Sequence, residues 1–170
     1  MLMGYKPHWQ YFWYLLRHKW YVFLECRQMG IFWQGVTHDL SKFSRAEWTP
    51  YVRHFYCRPY PKLTDALKQC PAYSGPTKES VETDFDLAWL HHQKHNRHHW
   101  QFFILVQDED KDKVLPMPHR YRCEMLADWI GAGKAYGRDD TETWYSAHKD
   151  KMKLHPATRQ WIEEQLKEMK

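Results

Sequence analysis

Apolar and polar positions along this chain recur mostly with the period of a helix, and strand-like alternation is weak throughout. Residues 8–29 form the first such stretch. Tyr11, Leu15, His18, Val22 and Glu25 share one stripe, and Gly30 supplies a stop. Residues 31–43 place Thr37, His38 and Asp39 at or near a short helical segment. Ser44 with Glu47 three positions on fits a capping box, so a helix is expected from after Phe43 to about Tyr56. Residues 57–80 carry Pro59, Pro61, Pro71, Gly75 and Pro76 and read as a loop region, with a turn or two of helix within 62–69.

Helical periodicity resumes at Val81, with Ser80 or Thr83 as cap, and continues to Val106. Val81, Phe85, Ala88, Phe103 and Val106 fall near one face. At 3.6 residues per turn that face also carries His92 and His99, with His95 at its edge. His91 and His98 lie on a flank, and a slip of register would exchange them for His92 and His99. Residues 107–118 read as an exposed charged loop, without the spacing of a calcium-binding EF-hand. Residues 119–135 are again helical, with Tyr121, Glu124, Met125, Asp128 and Ala132 on one stripe; Gly131 and Gly133 suggest close approach of another element. Residues 136–153 read as a polar connection. Pro156 opens a last helix with Trp161, Ile162, Leu166 and Met169 on its apolar side. The expectation is an all-α fold over 1–170, one compact helical domain.

Composition sharpens this picture. Aromatic residues make up 17% of the 170 positions, ten of them Trp, yet the mean hydropathy is negative. That combination describes a charged surface around an aromatic core and argues against disorder. The net charge of +4 suits a small anionic substrate, and the absence of a polybasic block argues against nucleic acid. The abundant rings leave room for a homodimer. Cys26, Cys57, Cys70 and Cys123 form no CxxC pair and read as reduced thiols of a cytoplasmic protein. Charges interrupt the aromatic start, so a membrane span is not expected.

The chemistry lies in the histidines. Five of the twelve fall between Ala88 and Trp100. Two or three of them point where the apolar residues point. A buried imidazole needs partners for both ring nitrogens, and a metal ion can supply one. Asp128 is likewise an inward carboxylate that needs a partner; Arg122 or a buried lysine is the alternative to a metal. In chain order the inward candidates are His18, His38, Asp39, His92, His99 and Asp128. Imidazole and carboxylate donors suit one or two divalent ions among Mn, Fe, Co, Ni and Zn.

That order, H…HD…H…H…D on a helical background, resembles the HD-domain superfamily of metal-dependent phosphohydrolases. His38-Asp39-Leu40-Ser41-Lys42 looks like its HDxxK signature. His91-His92 with Asn96 and His98-His99 looks like the paired-histidine region of dinuclear members. The phrases HDLSKFS, AWLHHQKHNRHHW and ADWIGAGKA are similar to a small family of phages and bacteria with no assigned activity. The resemblance implies an HD-like bundle and hydrolysis of a nucleotide or other small phosphate ester. It implies that His18, His38, Asp39 and Asp128 hold one ion, and that Asp39 bridges to a second held by His92 and His99. Lys42, and further Arg45 and Arg97, would contact phosphate. His95 would donate a proton or act as an extra ligand, and Glu124 would orient a ligand histidine. Specificity would lie in 57–80 and 107–118. Two other readings remain: a di-iron oxygenase built on the same ligand set, and a non-catalytic helical binding module with a structural metal.

Overall fold

The computed structural model describes residues 5–57, 60–62, 64–65, 70 and 74–169. Among them are seven α-helices: α1 Tyr5–Gln28, α2 Phe32–Thr37, α3 Arg45–Tyr56, α4 Lys78–His95, α5 His119–Ala135, α6 Thr141–His148 and α7 Pro156–Glu168. A single antiparallel pair joins β1 Ile104–Leu105 to β2 Lys113–Val114, with Ile104 opposite Val114. The fold is therefore mainly α, as the periodicity indicates. The turn or two of helix expected within 62–69 falls largely outside the described residues.

Contacts divide the chain, expected as one domain, into two compact units: residues up to Tyr14 with Leu40–His95, and Leu15–Asp39 with the chain from Asn96 on. Helix α1 contributes its residues to both.

In the first unit α3 packs on α4. Tyr11 is buried among aromatic rings, with Trp48 at 4.8 Å and Tyr56 at 5.7 Å between centroids. Tyr51 meets Phe85 edge-on at 5.2 Å, and His54 stacks on Phe85 at 4.0 Å. Offset and edge contacts of this kind are the favourable geometries for rings, and they use the large aromatic content as core.

In the second unit α5 is central and touches α2, α6 and α7. Met125, Leu126 and Ile130 meet Tyr145, Ile162 and Leu166 in one buried cluster. On its other side Ala127 packs with Val22 and Cys26 of α1. The approach there is close: a Cβ added at Gly131 would lie 2.5 Å from Val22 Cγ2 and 2.8 Å from the Val22 backbone nitrogen. Only glycine admits that contact. Part of the expected polar connection 136–153 is helix α6, whose Thr141 and Tyr145 turn inward one turn apart. Part of the expected charged loop 107–118 is strand β2.

Two local expectations need correction. The histidine helix stops at His95 instead of running on to 106, and a turn and a short 3-10 segment at Trp100–Phe103 follow. Asn, a residue favoured at helix ends, occupies position 96. The capping box at Ser44 also fails: the Ser44 side chain makes no cap bond, and Glu47 is fully buried.

Candidate metal centre in the second unit

Four elements of the second unit bring the candidate donors together. Helix α1 carries His18 on its buried stripe, one turn from Leu15 and Val22. Helix α2 ends at Thr37, and this ending solves a geometric problem. Consecutive helical residues diverge by about 100°. Here His38 is extended, with φ −48° and ψ 129°. Asp39 then adopts φ +54°, in the left-handed region that aspartate tolerates better than most residues. Lys19 donates to the His38 carbonyl and ties the turn to α1. Helix α5 supplies Glu124 and Asp128, one turn apart on the same face. The chain after α4 supplies His98 and His99.

The His18, His38, Asp39 and Asp128 donor atoms converge. His18 Nε2 lies 3.4 Å from His38 Nε2, 3.7 Å from Asp39 Oδ2 and 3.1 Å from Asp128 Oδ1. His38 Nε2 lies 3.4 Å from Asp39 Oδ2 and 3.3 Å from Asp128 Oδ1. An ion ~2.1 Å from four donors at tetrahedral corners would hold those donors ~3.4 Å apart. The observed spacings bracket that value. Both Nε2 atoms also lie within 3.1–3.7 Å of the Asp39 and Asp128 carboxylates, so imidazole and carboxylate donors face one point.

Glu124 organises the opposite side of two rings. Its Oε1 lies 3.1 Å from His38 Nδ1 and 3.2 Å from His98 Nδ1. With both Nδ1–H groups donating to one carboxylate, both Nε2 atoms face the other way. His38 Nε2 meets Asp39 Oδ2, and His98 Nε2 lies 3.5 Å from Asp39 Oδ1. Each oxygen of Asp39 thus has its own imidazole. Carboxylates behind ligand histidines fix the tautomer and aim the ring in metal sites generally. Asp39, His98 and His99 also offer donor atoms within 4.8 Å of one another.

The electrostatics fit this arrangement. Burial pulls the His38 pKa down, but the Asp39 charge and bonds to Asp128 and Glu124 outweigh it and hold it at about 9. Burial raises the carboxyls of Asp128 and Glu124, yet hydrogen bonds from His18 and His38 to the first, and from His38 and His98 to the second, keep both below their ordinary values. Burial, assisted by Glu124 and Asp128, pushes the Cys26 thiol up to about 12, which leaves it protonated and a poor metal donor.

The immediate neighbours of the other expected site residues are as follows. His92 is buried in the first unit, with Nδ1 2.7 Å from Glu47 Oε2 and 3.3 Å from Ser41 Oγ. Lys42 lies over the Tyr51 ring at 5.9 Å, and Arg45 is exposed. His95 is exposed, its Nδ1 2.8 Å from the His91 carbonyl. In the second unit exposed Arg97 donates to Tyr121 Oη at 3.2 Å. Arg122, the alternative partner for Asp128, lies over Trp161 instead. His99 is half-buried, whereas His98 is fully buried. Because the helix ends at His95, helical periodicity does not reach the 98–99 pair. The Ser44–Glu47 spacing satisfies a capping box and so hides the inward role of Glu47, which nothing else in the sequence marks.

Among the described residues no helix is long and apolar enough to cross a membrane. No curated protein and no solved structure matches the chain. One family model does match, over residues 7–168. The chain therefore belongs to that family, described as a family of unknown function (DUF5662).

Proposed function

We propose that this protein is a metal-dependent phosphohydrolase that acts on a nucleotide or another small phosphate ester. The observation that carries the reading is the four-donor cluster of His18, His38, Asp39 and Asp128, at spacings that enclose a first-row divalent ion. The motif order that resembles the HD-domain superfamily supports it. A divalent ion held by these residues would supply Lewis-acid polarisation of a phosphoryl oxygen and a water of lowered pKa.

The chain's own residues have separable roles in this account. His18, His38 and Asp128 would hold the ion. Asp39 directs one oxygen to this cluster and the other to His98, the disposition of a bridging carboxylate. Glu124 holds the Nδ1 protons of His38 and His98 and so fixes which nitrogens are ligands. Lys19 keeps the His38–Asp39 turn in register. Exposed Arg97 precedes His98 directly and is the second unit's candidate for a phosphate oxygen.

The test is phosphate release from p-nitrophenyl phosphate and a panel of nucleotides, with Mn, Co, Ni or Zn supplied to chelated protein. Release that requires the metal is expected. Asp39→Asn should lower it by more than the roughly 10–100-fold typical of losing an outer hydrogen bond. Release without metal, or release that survives Asp39→Asn, contradicts the mechanism. Iron as the retained ion, with oxygen consumed in the presence of substrate, would replace hydrolysis by oxygenase chemistry.

A further inference from the structure

The first unit buries a carboxylate–imidazole cluster around Glu47. Glu47 on α3 is fully buried, and each oxygen takes a different histidine of α4. Oε2 lies 2.7 Å from His92 Nδ1 and Oε1 lies 2.8 Å from His91 Nδ1. The Ser41 hydroxyl also bonds this carboxyl. The His92 bond ties α3 to α4 in the interior. The His91 bond does something else, because it fixes an imidazole that is one-third exposed.

His95 stands one turn further along α4, exposed, and its ring faces that of His91. The centroids are 3.8 Å apart and the planes 21° from parallel. His95 Nδ1 lies 2.8 Å from the His91 carbonyl oxygen. A carbonyl can only accept, so His95 Nδ1 is the protonated nitrogen of the neutral ring. The same holds for His91, because an ionised carboxylate can only accept. In both neutral rings the lone pair therefore resides on Nε2. Carboxylate and backbone carbonyl are the two usual acceptors behind a metal-bound histidine. The i, i+4 spacing is the one by which two helical histidines share an ion.

We propose that His91 and His95 form a divalent-cation site on the surface of α4, made by donors other than those of the His18, His38, Asp39 and Asp128 cluster. Its ligand is an imidazole-preferring ion such as Zn²⁺, Ni²⁺ or Cu²⁺, with water or an external ligand in the open positions. Binding one ion through both Nε2 atoms requires the stacked rings to splay from this arrangement. Glu47 is the positioning residue for this site.

The test is a calorimetric titration of the full, chelator-treated chain with Zn²⁺. The wild type should bind one equivalent more than His95→Ala. His91→Ala should lose the same equivalent, and Glu47→Gln should weaken it about 10–100-fold. Thermal unfolding without metal checks that each variant is folded. The same number of ions on wild type and on folded His95→Ala overturns the site. Loss of the ion in His95→Ala with unchanged affinity in Glu47→Gln overturns the role of Glu47. Because the readout is the difference between two chains, it stands whether or not the second unit holds a metal.

Discussion

Raising the pH should tighten metal binding at the His18, His38, Asp39 and Asp128 cluster, and His38 sets the size of the effect. In the metal-free chain burial lowers its pKa, but the surrounding carboxylates prevail and hold it at about 9. An ion bound through Nε2 must displace that proton. At pH 7 the proton sits about two units below its pKa, which opposes binding by ~100-fold, about 3 kcal/mol. Apparent affinity should therefore rise about tenfold per unit between pH 7 and 9 and flatten above. Competition for Zn²⁺ against a chromophoric chelator, corrected for the chelator's own protonation, reads this slope. His95→Ala is the background of choice, since it removes the surface pair. Calorimetry in two buffers of different ionisation enthalpy should count about one proton released at pH 7. A flat affinity from pH 7 to 9 with no proton released would mean that the ion does not displace the His38 proton, and the ligand assignment would fall.

Three further outcomes follow from the same geometry. Glu124→Gln removes the carboxylate shared by His38 and His98, and should weaken the ion about 10–100-fold in the same competition assay; unchanged affinity would refute its orienting role. Gly131→Ala places a Cβ against the Val22 backbone, and should cost ~1–3 kcal/mol in thermal unfolding, with an unshifted transition as the contrary result. In metal-free protein the raised His38 pKa contributes stability in full below its ordinary 6.5, lost as pH rises through about 9. The lowered carboxyls of Glu47, Glu124 and Asp128 contribute above their ordinary values, and that part is lost on acidification. Urea unfolding of the chelated chain should therefore show greatest stability near pH 5–6.5. Stability that climbs from pH 7 to 9 would contradict this.

The residues legible in the sequence were those on long periodic helices with clear punctuation. His18 shares its stripe with Leu15 and Val22, and Asp128 sits between Ala127 and Trp129 on a helix introduced by Pro118; regular spacing places both. Pro156 marks the first residue of α7. Periodicity failed where the helix itself stopped. Beyond His95 a turn sends His98 inward, and no 3.6-residue count can anticipate that. Helix α6 is two turns long, too short for a period to emerge, and its adjacent Trp144 and Tyr145 blur the pattern further. Glu47 shows a different limit. Its spacing from Ser44 satisfies a local rule, but its hydrogen bonds go to a helix some 45 residues away. Long-range partners decide a buried carboxylate, and sequence windows do not contain them. The Asp39 turn is similar: φ +54° follows from the need to aim two consecutive side chains at one point.

The central claim is the metal centre, and metal content tests it most directly. The His95→Ala chain, purified without chelator and without an affinity tag, should carry at least one equivalent of a first-row transition ion by elemental analysis. A second equivalent is expected if the His98 side of Asp39 is also filled. Asp128→Asn in that background should lose or weaken the first. A chain that carries no such ion, and takes up none when Mn, Fe, Co, Ni and Zn are each offered, would contradict the account. The convergence of His18, His38, Asp39 and Asp128 would then be a hydrogen-bonded core.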